Sequence, residues 1–67
     1  MFYIEIERAN GTKFAHTIDD EVLRFDTAEE ADELAEAMWL RLGEFGNYAR
    51  FSVIDPETGD SYSDWEC

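Results

Sequence analysis

Four carboxylates offer the densest chemistry in this chain: Glu29, Asp32, Glu33 and Glu36, inside the stretch DTAEEADELAEAMWL. Spacings of three and four residues make such side chains neighbours on a helix, ~5–6 Å apart. Carboxylates held this way can ligate a cation, share a proton in acid–base work, or show negative charge to a basic surface. A second acidic group follows at Asp55, Glu57, Asp60, Asp64 and Glu66, and residues 55–67 contain no lysine or arginine.

Metal binding and catalysis find little support in the residue pattern. DPETGDSYSDWE, residues 55–66, begins with Asp and has Glu at its twelfth position, as an EF-hand calcium loop does. Its fifth and sixth positions are Gly59 and Asp60, where such a loop needs a ligand and then a glycine, and no helices are expected to flank it. The only histidine is His16 and the only cysteine is Cys67, so neither a zinc site nor an intramolecular disulfide can be assembled. Nothing sets a serine beside the histidine. There is no glycine-rich phosphate cradle. Asn10-Gly11-Thr12 matches a glycosylation sequon, but MFYIEIER has no basic start or long apolar run and does not read as a secretion signal. The expectation is a non-enzyme with no cofactor and no metal, working in the cytoplasm.

Charge narrows the partner class. Seventeen acidic residues against five basic ones give a formal charge of −12, and Lys13 is the only lysine. Direct binding to nucleic acid or to an anionic membrane is disfavoured, since both need cationic patches. No run approaches the ~20 apolar residues of a membrane span. Disorder fits poorly, because 45% of the residues are hydrophobic and 15% are aromatic.

The elements that must position these groups follow from periodicity. FYIEIER, residues 2–8, alternates as a half-buried strand, ANGT at 9–12 signals a hairpin, and TKFAHTI at 12–18 returns. A three-residue loop, Ala9-Asn10-Gly11, pairs Ile6 with Phe14, Glu7 with Lys13 and Phe2 with Ile18, and places His16 opposite Ile4. A two-residue loop sets Phe14 against Glu7, so the longer loop is expected, with Gly11 in the left-handed position of a G1 bulge. Asp19-Asp20-Glu21 breaks the strand, and Val22–Phe25 is an extended link. Thr27 and Glu30 form a capping-box pair before a helix over Ala28–Leu42, stopped at Gly43 and again at Gly46-Asn47. YARFSVI at 48–54 is a strand, 55–60 a turn, and 61–65 a short edge strand. The chain therefore predicts one α+β domain over residues 1–67. Its order is β-β-α-β(-β), with one helix packed on a mainly antiparallel sheet.

At ~100° per residue, Ala28, Ala31, Leu34, Ala35, Met38 and Leu42 form one stripe of the helix. Glu29, Asp32, Glu33, Glu36 and Leu40 are expected on the opposite side, with Trp39 on the flank. Glu29–Glu33 and Asp32–Glu36 are like-charge pairs four residues apart, each costing ~0.2–0.5 kcal/mol. The helix dipole offsets part of this for Glu29 and Glu30 but not for Glu33 and Glu36. A solvated face of a very acidic protein accounts for such a run. So does a rigid ladder of negative charge, with a spacing of the order found along one nucleic-acid strand.

Size, charge and element order together resemble the small acidic proteins of phages and mobile elements, among them nucleic-acid-mimicking anti-restriction and anti-CRISPR proteins. TAEEADELAE and DPETGDSYSDWE are the segments that carry the likeness. The resemblance implies inhibition of a nucleic-acid-binding effector, such as a CRISPR-Cas or restriction complex, by a monomer or homodimer that fills its basic groove. The expected contact set is Glu29, Asp32, Glu33, Glu36, Leu40, Asp55, Glu57, Asp60, Asp64 and Glu66. Two other readings fit the same residues. One is a non-catalytic interaction module, such as a homodimer or a small regulatory subunit, using Trp39, Leu40 and the last strand edge. The other is an acid-rich surface serving only solubility or salt adaptation.

Overall fold

Alternation in the first segment builds the sheet. The computed structural model describes residues 1–42 and 46–66. Strand β1, Phe2–Arg8, turns Ile4 and Ile6 into the core, fully or almost fully buried. The loop Ala9-Asn10-Gly11 then reverses the chain. Gly11 donates to the Arg8 carbonyl at 2.9 Å and Arg8 donates to the Thr12 carbonyl at 2.8 Å. Gly11 sits at φ 92, the left-handed position that a three-residue hairpin with a G1 bulge requires. Strand β2, Lys13–Ala15, takes the expected register, with Ile6 opposite Phe14 and Glu7 opposite Lys13.

Beyond Ala15 the course differs from the expected long second strand. The His16 amide still donates to the Ile4 carbonyl at 2.8 Å. The chain then leaves the sheet as a small hairpin, β3 (Thr17–Ile18) against β4 (Glu21–Val22). Asp19 and Asp20 form its tip at φ 53 and φ 67. Positive φ at both central residues is the signature of a type I′ turn, and aspartate tolerates it better than most residues. The Leu23 amide closes the hairpin's base on the His16 carbonyl at 3.1 Å. Strand β5, Arg24–Phe25, rejoins the sheet beside β1. Phe2 therefore faces Phe25 rather than Ile18, which is left 51% exposed. The physical reason is that the tight turn at Asp19-Asp20 pairs Ile18 with Glu21 off the sheet, so the chain returns beside β1 only at Arg24–Phe25.

Helix α1, Ala28–Leu42, has the expected bounds. The Thr27 hydroxyl accepts from the Glu30 amide at 3.3 Å, which satisfies one of the free donors of the first turn. Ala28, Ala31, Ala35 and Met38 are buried, with Leu34 and Leu42 packed at the margin. Strand β6, Tyr48–Ile54, runs down the middle of the sheet and buries Phe51 and Val53 completely. Strand β7, Ser61–Glu66, is longer than expected and pairs with β6 along its length. Val53 faces Ser63 but Ile54 faces Ser61, so Tyr62 is the extra residue of a bulge. The antiparallel order is β2-β1-β6-β7, with β5 against the other half of β1. The helix covers one face of this sheet. Gly43, read as the helix stop, and Cys67 lie outside the described residues.

The Asp19-Asp20 tip yields a stability test. Two adjacent carboxylates in left-handed conformations repel each other and keep some steric cost. Asp19→Asn with Asp20→Gly is expected to stabilise the fold by about 0.5–1 kcal/mol. In a domain this small that is a rise of ~2–8 °C in melting temperature, measured by thermal unfolding.

Candidate functional site

The ten acidic and apolar positions expected at the interface divide into four places. Glu29, Glu33, Glu36 and Leu40 lie exposed on the solvent side of α1, and Leu40 is 55% exposed. None of the three glutamate side chains has a hydrogen-bond or ion-pair partner among the described residues. At 1.5 Å rise per residue their axial spacings are ~6 Å and ~4.5 Å.

Asp32 does not stand with them. Its Oδ1 accepts two hydrogen bonds from β7, from the Ser63 hydroxyl at 2.6 Å and from the Trp65 indole at 2.8 Å. The residue is half-buried at the seam between helix and sheet. Trp39 completes the seam. Its ring lies 5.2 Å from that of Trp65, and its indole nitrogen donates to the Glu66 carbonyl at 2.7 Å. The wheel contains half of the signal for this. Asp32 and Trp39 are seven residues apart and fall within ~20° of each other, on one flank. Ser63 and Trp65 share a strand face with each other by simple alternation. Sequence reasoning grouped Asp32 with the outer acids because nothing in the helix alone marks which flank meets a strand.

Asp64 and Glu66 point away from the helix, onto the open face of the sheet. The Asp64 carboxylate accepts from the Ser52 hydroxyl at 2.6 Å and from the Ser61 hydroxyl at 3.1 Å, bracing the bulge at Tyr62. Glu66 shares Arg50 with Glu7. Arg50 approaches Glu7 at 2.9 Å and Glu66 at 4.0 Å. Ion pairs this exposed add little stability, but they occupy one of the few cations.

Asp55, Glu57 and Asp60 belong to the turn between β6 and β7. Asp55 Oδ1 accepts from the Glu57 amide at 3.0 Å, and the Asp55 amide donates to the Asp60 carbonyl at 3.0 Å. This turn faces the start of α1 across a groove of about 440 Å³. Phe2 and Tyr62 line it, their rings edge to face at 6.5 Å, together with Glu29, Asp55 and Asp60. Here the helix acids and the C-terminal acids meet. Glu33 and Glu36 stay on the outer helix surface, and Asp64 and Glu66 stay across the sheet. Phe2 and Tyr62 had no sequence signal as groove residues, because the bulge that exposes Tyr62 is visible only in the register.

No three His, Cys, Asp or Glu side chains among the described residues are arranged to hold a metal ion. No helix among them is long and apolar enough to cross a membrane.

The division predicts unequal costs of removal. Asp32→Ala leaves the Trp65 and Ser63 donors without their acceptor at a half-buried seam and is expected to destabilise by about 2 kcal/mol. Glu33→Ala removes a like-charge neighbour and is expected to fall within about 0.5 kcal/mol of the native protein. Urea unfolding of both variants, followed by tryptophan fluorescence, measures the contrast.

Comparison with protein-family models, with curated proteins and with solved structures finds no match for this chain.

Proposed function

We propose that this protein is a non-catalytic acidic binder that occupies the basic groove of a nucleic-acid-binding effector, such as a CRISPR-Cas or restriction complex. The carrying observation is the outer surface of α1. Glu29, Glu33 and Glu36 project there without a bonded partner among the described residues, beside the exposed Leu40. The acids that hold the fold together, Asp32 and Asp64, are elsewhere employed. Glu29 also serves the first turn of the helix, and what remains at Glu33 and Glu36 is charge that the fold does not use. Held on a rigid helix, it meets a cationic groove with little ordering cost. The formal charge of −12 adds long-range attraction, screened beyond ~8 Å at physiological salt.

Glu33→Lys with Glu36→Lys tests this reading. The double variant is expected to stay folded and to lose effector binding by about 100-fold or more. A folded double variant that binds as tightly as the native protein removes the helix surface from consideration. The partner itself is sought by retention on the immobilised native protein, eluted with a salt gradient. Recovery of a nucleic-acid-binding protein that DNA or RNA displaces supports the reading, and a clean column at low salt counts against it.

Leu40 favours a second reading, an interaction module whose acidity is incidental. An exposed leucine flanked by tryptophan can anchor an apolar contact. That reading expects binding that survives molar salt and is lost in Leu40→Asp, as measured by calorimetric titration with the recovered partner.

A further inference from the structure

β7 is an edge strand, paired with β6 on one side and with no strand on the other among the described residues. The ladder shows which of its backbone groups are free. His16 donates to the Ile4 carbonyl, so the Ile4 groups face β2 and, by antiparallel alternation, those of Glu5 face β6. Glu5 lies opposite Ser52, so the groups of Phe51 and Val53 face β7. Their partners Trp65 and Ser63 spend their own groups there. The N–H and C=O of Asp64 and of Glu66 are therefore turned outward. The hydrogen bond from Trp39 to the Glu66 carbonyl has this direction. Among the described residues it leaves the Asp64 N–H and C=O and the Glu66 N–H open.

The strand begins at Ser61 and Tyr62, and both line the groove that holds Glu29, Asp55 and Asp60 on its rim. We propose that the open edge of β7 and this groove form one docking track for an extended, arginine-bearing segment of a partner protein. Charge selects that occupant. A second copy pairing β7 to β7 about a two-fold axis at Asp64 sets Asp64 against its own copy, with each chain at −12. A basic strand meets the opposite situation. Its backbone pairs with Asp64 and Glu66, and alternate side chains reach the carboxylates on the open face. At the groove an arginine lays its stem and guanidinium on Phe2 and Tyr62 and donates to the rim carboxylates. Glu29 borders both surfaces; otherwise this track is separate from the outer side of α1 at Glu33, Glu36 and Leu40, and it shares with the function proposed above the sign of the partner's charge.

The test uses the whole chain, labelled for amide exchange, and a synthetic peptide of about ten residues alternating arginine and valine. One control replaces arginine with glutamate. Two others are N-methylated at every second residue, one in each phase. The arginine peptide is expected to slow exchange at the Asp64 and Glu66 amides by roughly tenfold or more. The glutamate peptide is expected to leave exchange unchanged, and one N-methylated phase to bind about tenfold more weakly. Asp60→Lys is expected to weaken the arginine peptide by a similar factor, while Glu33→Lys with Glu36→Lys binds it nearly as the native chain does. Unchanged exchange at residues 64 and 66 overturns the proposal. So does equal binding of both N-methylated phases, which marks a contact of charge alone. A loss in the helix double variant as large as that in Asp60→Lys also overturns it, by moving the contact to the helix.

Discussion

The close seat of Ala31 and Ala35 on Ile4, Phe51 and Val53 holds everything else in place. All five residues have no exposed surface. Methyl side chains let the helix axis approach the sheet, and at that distance the short Asp32 carboxylate reaches Ser63 and Trp65. The larger side chains Leu34 and Met38 stand toward one margin of the stripe, and Trp39 closes the other. A bulkier residue at 31 or 35 would lift the helix at a cost of about 1–3 kcal/mol in overpacking alone. It would also part the seam that fixes β7. β7 is placed by its ladder with β6, and the seam that ties it to the helix depends on the close approach that two alanines allow.

That hierarchy explains how the fold tolerates so much negative charge. The acids divide by what they hold. A hydrogen bond to a charged group contributes ~1.5–3 kcal/mol, and Asp32 and Asp64 each accept two. An exposed like-charge pair on a helix costs only ~0.2–0.5 kcal/mol. A few structural carboxylates therefore outweigh several unneutralised ones on the solvent side of α1. The fold uses the acids at 32 and 64 as hydrogen-bond acceptors and the acid at 29 in the first helical turn, and it merely permits acid at 33 and 36. A permitted but costly charge with no structural use is where function is most economically sought.

Much of the architecture was legible because several local signals agreed. The helix bounds follow from the Thr27 cap and the alanine stripe, and the first hairpin's register follows from which loop length puts Phe14 beside Ile6. The β3–β4 excursion was not legible. Thr17, Ile18 and Val22 continue a strand-like pattern, and two aspartates read equally as a break or as a tight turn until their φ angles are known. Of the candidate site, the exposure of Glu29, Glu33, Glu36 and Leu40 was readable from a single helix. The employment of Asp32 was not, since it depends on Ser63 and Trp65, some thirty residues away. The groove was hidden for the same reason. It joins Phe2, the start of the helix and the β6–β7 turn, three segments that only the sheet order brings together.

The two sheet edges show how this charge pattern and the topology work on each other. One edge carries Lys13 and Arg24, and the other carries Asp64 and Glu66. Opposite charges on opposite edges invite head-to-tail pairing of copies, which does not close and grows into fibres. Both edges are interrupted against it. The β3–β4 excursion cuts the basic edge into pieces of three and two residues. On the acidic edge the bulge at Tyr62 and the Trp39 cap on Glu66 leave a short open centre at Asp64. Short, bulged and charged edges are the usual defence against strand addition. A charge of −12 on every copy reinforces that defence between identical chains. It reverses sign for a cationic strand, which is attracted where a second copy is repelled. The charge that opposes pairing of identical edges is thus the same charge that the docking proposed above would use to favour a basic strand.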